Sequence, residues 1–247
     1  MSNNKVPKKV KPVRAGVKNP RQTSSMVTYV LAGVAVAVVI AIIVVGIAAG
    51  RKDGKGSPVP DDQLASSAMF TAVKPGADPK VTLDLFEDFQ CPICQQFEAT
   101  YGRQIVQAVN DGKLRVRYHM LTFLNSHSGS GDYSSRAAGA AKSVTNENNM
   151  ALFLAFHSKM FDIQPPEGGA DPDNTQISQY AAQVGANTDT QKRISSGADI
   201  SAANALADTG ISQLQKISGP NVGTPSVVHD GQLVSFTDSS WLTNLLG

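Results

Sequence analysis

Fourteen consecutive residues constrain this chain more than any others: Val81-Thr82-Leu83-Asp84-Leu85-Phe86-Glu87-Asp88-Phe89-Gln90-Cys91-Pro92-Ile93-Cys94. Val81, Leu83 and Leu85 alternate with Thr82 and Asp84 before the run turns aromatic at Phe86 and Phe89, the pattern of a largely buried strand. Apolar positions then recur at Phe97, Tyr101, Ile105 and Val109 as a helical stripe. Cys91 therefore falls at a strand-to-helix junction, with Pro92 at the first helical position, where its missing N–H costs nothing. A thiolate placed there faces unpaired backbone N–H groups and the positive end of the helix dipole. The Cys91 thiol is expected below the free value of about 8.5, as the attacking group. Cys94, one turn in, is expected to be shielded and able to close a disulfide with it.

These are the chain's two cysteines, so a monomer can form no other disulfide. Strand, Cys-x-x-Cys and helix together are a thioredoxin-like redox signature. The competing use of such a pair is a metal site. Structural zinc needs four ligands, no second cysteine pair exists, and His119, His127, His157 and His229 are scattered. No metal is expected.

At 247 residues, 41% hydrophobic and 17% charged, the chain is long enough for one sizeable domain plus appendages. Its charge is unevenly spread. Residues 1–25 hold seven cations (Lys5, Lys8, Lys9, Lys11, Arg14, Lys18, Arg21) and no acid, whereas from Ser57 onward 12 Lys and Arg face 19 Asp and Glu. A mildly acidic domain without a basic stripe argues against nucleic-acid binding. The N-terminal 25 residues lack hydrophobic periodicity and read as a disordered basic tail. Residues 26–50 carry no charge and are dominated by Val, Ile and Ala. At about 1.5 Å per residue they reach roughly 35 Å, enough for one transmembrane helix. The preceding cations are expected to stay cytoplasmic, leaving the rest outside the cell membrane. The apolar run exceeds a usual signal-peptide core of about 7–15 residues, which favours an uncleaved signal anchor over a cleaved peptide. Residues 51–68, rich in Gly, Pro and Asp, read as a flexible linker.

The expected domain is 69–247. A short strand near 69–73 precedes the central one, and Leu114, Val116, Tyr118 and Met120 alternate with Arg115, Arg117 and His119 as another. His119 reads as a surface or hydrogen-bonded residue rather than a catalyst. From about 125 to 216 no strand is apparent; helices are expected at 134–143, 150–161, 176–184 and 201–216. So long a segment is a helical subdomain inserted in the fold, not a loop. Its Phe153, Phe156 and Met160 stripe reads as core. A hairpin follows, Ser226 to His229 and Gln232 to Phe236 around Asp230-Gly231. Pro225 opens it either as an edge residue or after a cis bond. Residues 238–246 are expected to form a closing helix with Trp241 and Leu245 inward.

Phe86 to Cys94, Tyr133-Ser134-Ser135-Arg136-Ala137-Ala138, Asp162-Ile163-Gln164-Pro165 and Gly223-Thr224-Pro225-Ser226 together resemble membrane-anchored, DsbA-like thiol–disulfide oxidoreductases of the actinobacterial type. The resemblance covers about 69–247. It implies an α/β thioredoxin fold with an inserted helical subdomain, preceded here by a single N-terminal transmembrane helix. It also implies a cis Pro225 which, with Thr224, lies beside the disulfide and binds substrate backbone. Two departures matter. The family's buried acid, six residues before the first cysteine, is replaced by Leu85; Glu87, on the same strand face, is the candidate proton relay, with a solvated loop carboxylate as the other reading. The Pro92-Ile93 dipeptide lacks the histidine of strongly oxidising members, which points to a weaker oxidant.

The leading expectation is an extracytoplasmic oxidase that passes a Cys91–Cys94 disulfide to secreted or cell-envelope proteins. No bound cofactor is implied. The resemblance supplies a membrane quinone reductase of the VKOR or DsbB kind as reoxidant. The alternatives are a reductase keeping exported thiols reduced, for example for haem attachment in cytochrome c maturation, a tethered chaperone-like binding module, and a metal-binding module.

Overall fold

Two seven-residue strands form the spine: β2 (Val81–Glu87) and β3 (Leu114–Met120) run parallel, in register from Val81 opposite Leu114 to Glu87 opposite Met120. The computed structural model describes residues 56–247. The basic tail, the apolar span at 26–50 and the start of the linker lie outside the described residues. Among the described residues, no helix is long and apolar enough to cross a membrane. β1 (Phe70–Ala72) pairs antiparallel with β3, β4 (Ser226–His229) antiparallel with β2, and β5 (Gln232–Val234) antiparallel with β4, giving the order β1-β3-β2-β4-β5. The β4–β5 turn places Asp230 and Gly231 at φ 50° and 70°, the left-handed pair that a two-residue hairpin needs.

Alternation along β2 and β3 sends side chains into two different cores. Leu83, Leu85, Val116, Tyr118 and Met120 join the larger one, with Phe89, Phe97, Phe153, Phe156 and Phe161. Each such buried side chain contributes about 1.5–3 kcal/mol. On the opposite face Phe86 and Val228 pack with Val59, Leu64, Leu121, Leu214 and Ile217 in a smaller core. This second face corrects one expectation and decides another. The linker does not stay flexible to residue 68: Asp61–Ser67 forms helix α1, with Leu64 and Ser67 buried. Of the two readings of His119, the hydrogen-bonded one holds: with Arg117 it is buried beneath α1 and the last long helix, bonded to Ser67 and Asp84.

The crossover from β2 to β3 carries α2 (Pro92–Phe97), a π-helical turn (Glu98–Gly102) and α3 (Arg103–Asn110). The turn has a reason in the sequence. Positions four apart drift by about 40° each on a 3.6-residue helix, so Val109 would stray about 120° from the face of Phe97. The widened turn absorbs the drift, and Phe97, Ile105 and Val109 all end buried.

The helical insertion is present. After a short 3₁₀ turn (Asn125–His127) come α4 (Tyr133–Thr145), α5 (Met150–Asp162), α6 (Asn174–Gln183), α7 (Thr188–Ser196) and α8 (Ile200–Ser218). Side-chain caps start three of them: Asn149 accepts from Leu152 N, Asn187 from Thr190 N, and Asp173 forms a capping box with Gln176. The sequence reading lacked α7, whose nine residues bury only Thr190 and Ile194. The closing helix α9 (Trp241–Leu246) buries Trp241 and Leu242, with Leu245 half-buried against the same core.

Candidate active site

Cys91 occupies the N-cap of α2, in extended conformation (φ −76°, ψ 116°), and Pro92 begins the helix. Both cysteines are free thiols. Cys91 is 6% exposed and Cys94 fully buried, so a partner can reach only the first. The Cys91 thiol falls to about 7 from an ordinary 9.0. The Cys94 thiol beside it is the main cause, aided by Thr224 and the backbone N–H groups of Cys94 and Ile93, against the pull of burial. The Cys94 thiol is pushed far up by burial, then by Cys91 and the Glu87 carboxylate. One sulfur is thus an anion near neutral pH and the other holds its proton. In the dipeptide between them, Pro92 is exposed and Ile93 half-buried.

The Thr224–Pro225 peptide bond is cis. Cys91 Sγ donates to Thr224 O at 3.3 Å, which puts this bend directly against the attacking sulfur. Thr224 Oγ1 is buried without another partner, free to donate to the Cys91 thiolate.

Asp88 shapes the loop before the cysteines. Its carboxylate accepts from Gln90 N at 2.9 Å and Leu124 N at 3.1 Å, while its backbone carbonyl accepts from Cys91 N. Burial raises its carboxyl to about 6. The insertion fastens the same loop with neutral amides. Gln164 Nε2 donates to Phe89 O (2.8 Å) and Cys91 O (3.0 Å); Gln90 Nε2 donates to Pro165 O and Gln95 Nε2 to Phe161 O. This gives Asp162-Ile163-Gln164-Pro165 a physical role that the sequence left unassigned.

Glu87 ends β2 fully buried, not as a solvated loop carboxylate. Its Oε2 lies 2.8 Å from His157 Nε2, and its Oε1 has no hydrogen-bond partner among the described residues. Burial, then the charge of Cys91, raises its carboxyl well above the usual range. His157 was missed in the sequence, although the signal was there: it sits between Phe153 and Phe161 at i, i+4, i+8 on the apolar face of α5.

A buried dithiol at a helix N-cap, beside a cis proline on a β2–β3–β4 sheet, defines a thioredoxin-fold redox protein. The comparisons agree. The thioredoxin family model ("Thioredoxin") matches residues 76–245, and the chain belongs to that family. The structure resembles the reduced disulfide bond oxidoreductase DsbG of Mycobacterium tuberculosis (TM-score 0.63, 28% identity, 74% of this chain and 86% of that one). It also resembles reduced DsbA of the same organism (TM-score 0.59, 30% identity, 78% of this chain and 91% of that one). Among curated sequences, the serine/threonine-protein kinase PknE of Mycobacterium tuberculosis is 37% identical over 169 residues, 67% of this chain. The chain spans only 30% of that relative's length.

Proposed function

We propose that this chain is an extracytoplasmic, membrane-anchored thiol–disulfide oxidoreductase that donates disulfides to secreted or cell-envelope proteins. The observation that carries the exchange chemistry is the division of labour between the sulfurs, with Cys91 reachable and anionic near neutrality beside buried, protonated Cys94. In each cycle a substrate thiolate attacks Cys91 of the oxidised pair. The Cys91–Cys94 bond breaks, Cys94 departs with its electron pair, and a mixed disulfide forms at Cys91. A second substrate thiolate attacks the substrate sulfur of that bond, forming the substrate disulfide and releasing Cys91 as thiolate. Thr224 and Pro225 bind substrate backbone next to the sulfur, Pro92 and Ile93 tune the potential, and Glu87 exchanges a proton with Cys94. Turnover needs an electron acceptor, for which a membrane quinone reductase of the VKOR or DsbB kind is the partner we infer. The uncharged run at 26–50 behind a basic tail supports the anchor and the orientation.

One observation favours a second reading, a reductase that keeps exported thiols reduced. Cys91 at about 7 matches a thioredoxin thiol rather than the value near 3.5 of a strongly oxidising one. The equilibrium potential of the Cys91–Cys94 pair in the full chain decides between them. A value of about −120 to −180 mV supports donation, and one near about −270 mV replaces it with reduction.

A further inference from the structure

Glu87, His157 and Glu98 meet behind the dithiol, each placing a polar atom within 4.8 Å of the others. We propose that these three residues are a proton route between Cys94 and solvent, with His157 as a two-ended relay and Glu98 as the outlet. The inference rests on the reading of Glu87 as the proton partner of Cys94 and extends it through the insertion.

The geometry has a direction. At the inner end, Glu87 Oε1 is buried and unpaired among the described residues, the Glu87 charge acts on Cys94, and the Cys91 charge acts on Glu87. Glu87 Oε2 is 2.8 Å from His157 Nε2, and the other ring nitrogen, Nδ1, is 3.8 Å from Glu98 Oε2. One water or a small rotation of Glu98 closes that gap. Side-chain exposure rises along the row, from 0% at Glu87 and 3% at His157 to 12% at Glu98. The rings of Phe89, Tyr118, Phe153 and Phe161 surround His157 at centroid distances of 5.8, 4.7, 6.1 and 5.1 Å, fixing its plane.

Backbone irregularity serves the outlet. Glu98 opens the π-helical turn and Gly102 ends it. A Cβ on residue 102 would lie 2.5 Å from Glu98 Oε2, so glycine there leaves the carboxylate its place against His157. A metal ion is a poorer occupant than a proton. Two ligands held about 2.0–2.2 Å from a tetrahedral ion stand roughly 3.4 Å apart, whereas Glu87 Oε2 and His157 Nε2 are already at hydrogen-bond distance.

The titratable groups facing the row are Cys91 and Cys94 from the active-site turn and Tyr118 from β3. Burial, then the Glu87 charge, lifts Glu98 to about 8, and burial lowers His157 against the opposing effect of Glu98. When the disulfide opens, Cys94 leaves as a thiolate and takes the proton of Glu87. The resulting carboxylate is reprotonated from His157 Nε2, while His157 Nδ1 receives a proton from Glu98 and Glu98 one from water. When the disulfide re-forms, Cys94 returns its proton to Glu87 and each transfer runs in reverse.

The test is stopped-flow reaction of the reduced full chain with excess 5,5′-dithiobis(2-nitrobenzoate). The first coloured thiolate reports attack by Cys91, and the second reports attack by Cys94 on the resulting mixed disulfide. Glu98→Gln and Gly102→Ala should each slow the second phase about tenfold near pH 6.5, less than the roughly 10²–10⁴-fold of a group that exchanges the reacting proton directly, and move its pH profile. Gly102→Ala keeps every titratable group and should leave the first phase at its wild-type rate. If both variants keep the wild-type second phase and profile while Glu87→Gln slows it, the outlet is overturned and the Glu87 relay stands. If Glu87→Gln is also unchanged, both fall.

Discussion

The sheet buries a polar cluster on each face, and the two are built on opposite rules. Beneath α1 and α8, Asp84 accepts from Arg117 Nε and Nη2, both at 2.7 Å, and pairs with His119 Nε2 at 2.8 Å. Arg117 also reaches Asp61, His119 Nδ1 meets Ser67 Oγ at 2.9 Å, and Ser67 continues to Gln213. These pairings hold the carboxyl of Asp61 below its ordinary value and the guanidinium of Arg117 above its own. Behind the dithiol, by contrast, Glu87 has one satisfied oxygen and one orphan among the described residues, and Glu87, His157 and Glu98 compete for protons. A saturated network fixes charge and holds elements together. An unsaturated one stores instability that a proton or a sulfur can relieve. The difference separates a joint from a working part, although the carboxylates at their centres, Asp84 and Glu87, are both buried.

Breaking the saturated side should have the largest effect. Asp84→Ala leaves Arg117, 6% exposed at its side chain, with Asp61 as its remaining charged partner among the described residues. A loss of about 3 kcal/mol is expected from stranding such a charge, measured by urea denaturation.

On the unsaturated side the sign should invert. The Glu87 carboxyl is raised in the folded state, so its proton is held more tightly folded than unfolded. Its contribution to stability is full below the unfolded value of about 4.5 and is lost as pH rises through the folded one. Glu87→Gln should therefore match wild type near pH 4 and exceed it at pH 8 by about 2 kcal/mol, the scale of one desolvated polar group. Denaturation of the reduced protein at the two pH values would show it. Equal stability at both would make the two clusters alike.

The smallest effect sharpens the contrast from the sulfur side. With Cys91 at about 7, its alkylation by iodoacetamide should rise about tenfold from pH 6 to pH 8 and then level, because only the thiolate reacts. Mass spectrometry should find Cys94 unmodified. The Asp84→Ala protein should show the same midpoint, since Asp84 is not among the groups that act on Cys91.

How much of this was legible in the sequence follows from what each signal encodes. The β2–Cys91–α2 junction and the β4–β5 hairpin were readable because alternation, Pro92 and Asp230-Gly231 are local signals. The alternation of Arg115, Arg117 and His119 gave the strand but not its surroundings, since a polar face looks the same whether it meets water or α1. Helix α1 has one strongly apolar residue, Leu64, and owes its place to Arg117 and Gln213, more than 50 residues away in sequence. Of the site, the sequence pointed to Cys91, Cys94, Thr224, Pro225 and Glu87, the last by its shared face with Leu85, and the structure buries all five. His157 was hidden inside an apolar stripe, and Glu98 became visible only once the widened turn aimed it inward.

The amides of Gln90, Gln95 and Gln164 carry a final consequence. All three fasten the insertion to the dithiol loop through uncharged groups and main-chain oxygens. Amides do not titrate, so these ties between the insertion and the sulfurs persist across the acidity range in which the sulfurs and carboxyls, Asp88 of the same loop among them, gain and lose charge. The insertion's grip on the reactive centre is thus indifferent to acidity, whereas the loop's own tie through Asp88 responds to it.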